Sequence, residues 1–457
     1  MTAGERGALV ERLVERLGDA VVADVDRMPR WLRDHSPLAP SGVPAAVVRA
    51  TTTEQVSAAL EIASSCGVAV VTRGTGTGLA GGANALDGCL LLSLDGMDRI
   101  LEVDPVRRTA TVQAGVINAD LDRAAAEHGL RYTPDPGSRD ISSIGGNIAT
   151  NAGGMSCCKY GVTGDHVTAL TAVLPGGEVI RTGGSTRKNV TGLDLTRLLV
   201  GSEGTLAVVV EATVWLQPAV ELESTVVAMF GTVESAMEAV VDLTGRTTPS
   251  AVEVLDRTTI GAVNAMTGMQ IDDQAAAVLL IRCDGPSAAQ DAALCESVAE
   301  AHGASEVFRT DDREEGDELM NARRTALPAL ERLGTVLLDD VGVPISLLPT
   351  LIAEIHRISA DHRVTIGTFG HAADGNLHPT VVYDAADEDE EARARAAFDE
   401  ILTVAVALGG TVTGEHGVGS LKLPYVASMY GAAELALMHR IKAAFDPDGL
   451  MNPGRGY

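Results

Sequence analysis

Aromatic side chains make up only 3% of the 457 residues, so the core must be built from Ala, Val, Leu and Ile rather than from rings. Basic residues are scarce as well. Thirty-five Lys and Arg stand against 62 Asp and Glu, a formal charge of −27. A surface of that sign repels phosphate backbones, which excludes nucleic acid as the expected partner. It argues equally against docking on an anionic bilayer through a polybasic patch. Long apolar runs are missing: nothing approaches the roughly 18 to 20 uninterrupted apolar residues of a spanning helix. The N-terminal MTAGERGALVERLVERLGDA mixes acids with bases in a helical rather than a signal-peptide pattern. A cytoplasmic protein is expected, meeting the inner face of a membrane only through a partner. The cysteines (Cys66, Cys89, Cys157, Cys158, Cys283, Cys295) include no CxxC pair. A cysteine-held cluster or zinc knuckle is therefore not expected, and the thiols should be reduced.

What the chain does have is length, glycine and a few clustered ionisable groups. Its size allows two or three domains, and 49 glycines lie among 46% hydrophobic residues. Residues 5–17 read as an amphipathic helix. Between 40 and 74 come a β run, a Thr-rich helix start before Glu54, an apolar-periodic helix and a second β run entering glycines. Strands are expected at 89–94, 109–114, 169–174 and 206–216, with a helix over 116–128 ended by Gly129. Past Pro218 the texture changes. Apolar β runs at 224–230, 277–282 and 364–369 alternate with Ala-rich helices at 232–243 and 287–302, a sheet covered by helices. The run DDREEGDE at 311–318 reads as a solvated helix start or loop, and an acidic helix is expected over 384–407.

RGTGTGLAGG at 73–82 can present backbone amides to a pyrophosphate without Cβ obstruction. It is neither a GxGxxG opening a βαβ helix nor a Walker loop, so it implies no simple dinucleotide fold or ATPase. Three hundred residues later, HAADGNLH at 371–378 and GEHG at 414–417 gather His371, His378, Glu415 and His416, in a chain with ten histidines. Two imidazoles and a carboxylate form a borderline three-ligand set with room for a substrate oxygen. The GN step between the histidines argues for a turn rather than a helix.

Further segments carry a resemblance: PDPGS at 134–138, SSIGGNIATNAGG at 142–154, KYGVTGD at 159–165 and GSEGTLAVVVEA at 201–212. In this order they resemble the FAD-contacting segments of vanillyl-alcohol-oxidase type flavoproteins. More narrowly, the chain is similar over nearly its full length to one branch of that family. The branch comprises the D-type subunit of glycolate oxidase, D-lactate dehydrogenase and D-2-hydroxyglutarate dehydrogenase. The resemblance implies an α+β protein with a two-part FAD-binding domain and an α+β substrate domain whose antiparallel sheet is covered by helices. The expected division is 1–218 for FAD, 219–413 for substrate, and 414–457 returning to the FAD domain.

The resemblance also implies roles. Arg73, Gly74, Thr75, Gly76, Thr77 and Gly78 would hold the pyrophosphate. Pro134, Gly137, Ser138, Gly145, Asn147, Thr150, Gly153 and Gly154 would wrap the ribityl and isoalloxazine. Glu203, Gly204 and Val209 would close on the adenine and ribose, and Asn452 would return to the flavin. His371, His378 and Glu415 match the metal ligands, with zinc fitting best and manganese or iron as alternatives. His416 matches the catalytic base and Arg323 the substrate arginine, in LMNAR where relatives have an aromatic at the position of Met320. Thr75, Ala207 and Ala373 replace glycines of the family pattern. The loop lacks the histidine that attaches FAD covalently in some relatives, so dissociable FAD is expected. Leu337 and Leu338 stand where 2-hydroxyglutarate enzymes tend to carry a lysine, which favours D-lactate or glycolate as substrate. Electrons would leave to a quinone, a cytochrome chain, an electron-transfer flavoprotein or a separate iron–sulfur subunit, and a homodimer is compatible. Two rivals are alkyldihydroxyacetonephosphate synthase, which shares the fold, and a catalytically silent flavin-binding subunit of a larger redox complex.

Overall fold

The computed structural model describes residues 2–186 and 188–457. The chain forms two compact units, one of Met1–Gly153, Gly161–Ala219 and Glu415–Tyr457, the other of Gly154–Tyr160 and Val220–Gly414.

In the first unit the helix Ala3–Leu17 starts on a capping box between Thr2 and Glu5 and buries Leu9 and Leu13, four residues apart on one face. A mixed sheet runs in the order Val21–Val22, Ala46–Arg49, Leu90–Ser93, Val70–Arg73. Its last three strands are parallel. The helix Thr53–Ser65 joins two of them, its first turn closed by the Thr52 hydroxyl accepting from Gln55 N. Val56, Ala59, Leu60 and Ala63 on that helix share a core with Leu9, Leu13 and Met451 of the C-terminal segment. An antiparallel sheet follows, ordered Ile100–Asp104, Thr109–Gln113, Val208–Trp215, Val167–Val173, Val179–Gly183. Along Val208–Trp215 burial alternates residue by residue, as the period of two requires.

The second unit is an antiparallel sheet ordered Ala304–Thr310, Glu223–Phe230, Ala277–Asp284, Ala251–Asp256, Thr365–His371, Asn376–Tyr383, Thr335–Leu338. Val341–Gly342 also pairs with Asn376–Tyr383. Every residue of Ala251–Asp256 and of Asn376–Tyr383 is buried, so an ionisable side chain on either strand must find a partner inside the protein. The run at 311–318 resolves into the start of the helix Arg313–Arg324, with Asp312 accepting from Glu315 N. Met320 fills the aromatic's place in the core beside Phe369 and Leu330. The acidic helix is shorter than expected, Glu388–Ala407, because Asp387 accepts from the amides of Asp389 and Glu390 and sets its start. Among the described residues no helix is long and apolar enough to cross a membrane.

Candidate active site

His371 and His378 sit on two strands of one hairpin, not merely in a turn. Thr365–His371 ends at the first histidine, Ala372–Asp374 makes a single 3₁₀ turn, and Asn376–Tyr383 carries the second. Gly375 reverses the chain at φ +74°, where a Cβ would lie 2.2 Å from the Val343 carbonyl oxygen. The register pairs His371 with Asn376 and Phe369 with His378, so both imidazoles point to the same face of the sheet. Their centroids are 5.2 Å apart, ring edge to ring face. Seven residues of separation, unhelpful on a helix, are what a tight hairpin needs to bring them together.

The adjacent strand contributes Glu253, directly opposite His371 in register. Its side chain is fully buried, with Oε1 2.7 Å from His371 Nδ1 and Oε2 2.6 Å from Arg323 Nε. Burial alone pushes the Glu253 carboxyl up, but His371, Arg323 and His378 together outweigh it and hold it below the usual range. The Arg323 guanidinium lies over the Phe369 ring, 4.6 Å from its centroid. Its charge is thus already balanced by Glu253 through Nε, and its Nη1–Nη2 edge has no hydrogen-bond partner among the described residues. Arg324 next to it is half-buried. On the other side His378 Nδ1 lies 3.6 Å from Asp340 Oδ1. The second Asp340 oxygen accepts from Thr413 Oγ1 and from Gly414 N, the residue just before Glu415 in the chain. Sequence reasoning passed over both Glu253 and Asp340. The available signal was an acid inside the apolar run AVEVLD, a position where a charge is rarely buried unless paired.

Glu415 and His416 belong to the first unit, with His416 Nε2 3.7 Å from Glu415 Oε1. Their turn is fixed from behind by Glu203, whose two carboxylate oxygens accept from Val418 N and Gly419 N, each at 2.7 Å. Burial raises the Glu203 carboxyl, against those two amides and the charges of Arg455 and Lys422. Asn452 accepts from Thr72 N at 2.8 Å and donates to Thr72 Oγ1 and to the Glu203 carbonyl oxygen. The side chains of Glu203 and Asn452 are therefore spent on tying together the strand that enters the glycine loop, the 201–205 turn and the turn that follows Glu415. Gly204, at φ +68°, leaves no room for a Cβ beside Thr72 and Asn452.

In the glycine loop the amides of Thr75, Gly76, Thr77 and Gly78 have no protein acceptor among the described residues. Arg73 is buried and reaches the carbonyls of Arg30 and Ala83. Gly74 packs on Ser143, the residue that caps the helix Ile144–Thr150, and Gly145 packs on Ala114. Asn147 is buried on that helix, Thr150 donates back to Gly146 O, and Pro134 O accepts from Asn118. Gly137 is exposed with open space around it, Ser138 is half-buried, and Val209 packs on the second-sheet core. Gly153 is the last residue of its segment in the first unit, whereas Gly154 begins a stretch assigned to the second. There Lys159 Nζ and Tyr160 OH both donate to Asp284. A cluster of amide donors without acceptors, flanked by glycines that admit no side chain, fits a pyrophosphate.

A family model for an FAD binding domain matches residues 44–183, and one for the C-terminal domain of FAD linked oxidases matches residues 220–455. Relatives include glycolate oxidase subunit GlcD of Bacillus subtilis, 43% identical over 90% of this chain and 89% of its own length. GlcD of Escherichia coli is 37% identical over 90% of this chain and 83% of its own. D-lactate dehydrogenase of Archaeoglobus fulgidus is 36% identical over 90% of both chains. The chain belongs to the FAD-linked oxidase family that includes GlcD and the D-lactate dehydrogenases, and is an FAD-linked oxidoreductase. Among solved structures, p-cresol methylhydroxylase superposes with a TM-score of 0.84 at 20% identity, over 100% of this chain and 97% of that one. Alkyldihydroxyacetonephosphate synthase gives 0.76 at 18%, over 98% and 85%. At that identity the likeness shows the fold alone, the vanillyl-alcohol-oxidase type expected from the ordered segments.

Proposed function

We propose that the protein oxidises a D-2-hydroxy acid to the 2-oxo acid, with D-lactate or glycolate preferred over D-2-hydroxyglutarate. The observation that carries this reading is the arrangement on one sheet face: two imidazoles beside a guanidinium whose outer edge is open. Such an edge suits a carboxylate, bound bidentately. The relatives named for glycolate and D-lactate support the same substrate class.

FAD, held without a covalent bond, supplies the hydride acceptor when bound, and a divalent cation, zinc first, supplies Lewis acidity toward the substrate hydroxyl. The chain's own residues do the rest. The amides of 75–78 receive the pyrophosphate, and His371 and His378 serve as ligands with Glu415 as the third. Arg323 orients the substrate carboxylate. His416 takes the hydroxyl proton as the general base. Leu337 is buried, and Leu338 is half-buried against the core that includes Met320. Neither offers a cation to a second carboxylate, which favours a short acid. The two GlcD relatives are each named as one subunit of a glycolate oxidase, which favours a second element of the reading. Electrons pass to a partner such as an iron–sulfur subunit, an electron-transfer flavoprotein or a quinone-linked chain.

The test is the purified protein assayed with an artificial electron acceptor across a panel of D- and L-2-hydroxy acids, with and without bound zinc. Oxidation of D-lactate or glycolate, dependent on the metal, is expected. Full turnover after verified metal removal would eliminate the metal's role, and a preference for D-2-hydroxyglutarate would overturn the argument from Leu337 and Leu338.

A further inference from the structure

We infer that Glu253 is the residue that aims both the metal ligand His371 and the substrate clamp Arg323, so that one buried carboxylate sets the two in register. This rests on the reading of the site proposed above and adds to it a positioning residue, not a catalytic one.

The geometry is specific. Glu253 lies in the middle of a wholly buried strand, with no exposed surface of its own. A carboxylate there is strongly disfavoured unless it is paired, as any buried ion is. Each oxygen meets a different partner: Oε1 meets His371 Nδ1 at 2.7 Å, and Oε2 meets Arg323 Nε at 2.6 Å.

What each contact does follows from which atom it takes. An imidazole whose Nδ1–H donates to a carboxylate is fixed as one tautomer, and Nε2 becomes the nitrogen that can ligate. A guanidinium held at Nε cannot turn that nitrogen toward a ligand. Its two terminal nitrogens form the leading edge, and bidentate carboxylate recognition uses such a paired edge. Phe369, under the guanidinium plane and one pleat from His371, keeps the fork from tipping. A neutral or shorter side chain at 253 would leave the fold's apolar contacts in place but release one or both aims.

Arg323 and His371 reach the same acid from different elements, a helix and a strand separated by the helices Ala326–Glu331 and Leu348–His362 and the short strands between them. No local sequence constraint holds them at a common spacing. Glu253 supplies that constraint, which also predicts coupling: whatever loosens one contact is felt at the other.

The experiment compares FAD-loaded wild type, Glu253→Gln and Glu253→Asp by three measurements. The first is zinc affinity by chelator competition. The second is the affinity of the metal-free protein for propionate, a carboxylate without the reacting hydroxyl, followed by flavin absorbance. The third is ¹⁵N-histidine NMR of unmodified zinc-loaded protein, with His371 assigned from His371→Gln. Expected are a zinc affinity about 10- to 100-fold lower in Glu253→Gln, weaker propionate binding in both variants, and zinc on Nε2 with Nδ1 protonated in the wild type. Variants that bind zinc and propionate within twofold of wild type would overturn the inference. So would zinc on Nδ1 of His371, a result that stands even if neither variant folds. Wild type that binds no zinc and turns over fully without it overturns the metal reading itself, and takes the His371 half of this inference with it. The propionate comparison then decides the Arg323 half.

Discussion

At Arg323 the useful distinction is which nitrogens are already spent. Nε is paired with Glu253, and the outer edge meets no hydrogen-bond partner among the described residues. Lysine at this position keeps the charge but cannot present two parallel donors. Arg323→Lys should lose a charge-assisted bidentate contact worth about 1.5–3 kcal/mol, read as a KM for D-lactate raised roughly 10- to 100-fold. A KM unchanged within threefold would remove Arg323 from the substrate site. His416 differs in kind. His416→Ala should still bind substrate but reduce flavin roughly 10² to 10⁴-fold more slowly under anaerobic stopped flow, and rapid reduction would exclude it as the base. Leu338→Lys probes the missing distal cation by placing an ammonium on a strand paired with Thr380. It should shift the ratio of kcat/KM values from D-lactate toward D-2-hydroxyglutarate. Arg323, His371 and His378 were legible as motifs. Glu253 was not, because its meaning comes from a partner 118 residues away in the chain, and no local pattern encodes that pairing.

At the scale of elements, helices with side-chain caps were the easiest to read. Thr52 and Thr232 close the first turns of Thr53–Ser65 and Val233–Thr244, both expected from a Thr or apolar periodicity at those places. The histidine hairpin was half legible: the β run at 364–369 anticipated its first strand and the GN step its turn, but the second strand, Asn376–Tyr383, went unread. That strand is buried on both faces and therefore lacks alternation. Asp256 shows what such burial does to an acid. It caps the helix Arg257–Thr267 by accepting from Thr259 N and also accepts from Thr368 N, yet burial pushes its carboxyl up to about 6. An unfolded Asp titrates near ~3.9, so the folded state holds the proton longer. The favourable contribution is complete below about pH 4 and is lost as pH rises through about 6, a change of about 3 kcal/mol. Relative to Asp256→Asn, the melting temperature of wild type should therefore fall between pH 4 and 7. A difference that stays flat over that range would mean the carboxyl titrates normally.

For the whole molecule, the segments that carried the resemblance are spread over nearly the full length, and within the first unit the structure explains why distant stretches must be present together. Asn452 bonds Thr72 and Glu203, Glu203 bonds the amides behind His416, and Met451 bridges Val70. The strand entering the glycine loop and the turn that follows Glu415 are thus held by one hydrogen-bond chain within one unit. The sequence showed the pieces in order, but the chain of bonds joining them depends on backbone geometry, including Glu203 and Asn452 at positive φ, which composition does not reveal. A cofactor bound by such a network, with no histidine in the glycine loop to bond it covalently, should come away intact. Acid-denatured protein should release its flavin to the supernatant as FAD, and added FAD should raise the melting temperature of the apoprotein. The rise should grow with the logarithm of free FAD, by about 1.4 kcal/mol of stability for each tenfold increase above Kd. Flavin remaining with the precipitated chain, or a melting temperature indifferent to added FAD, would show the linkage to be covalent or the site misassigned. Reconstitution separates those two, because only a covalently loaded chain is already yellow before FAD is added.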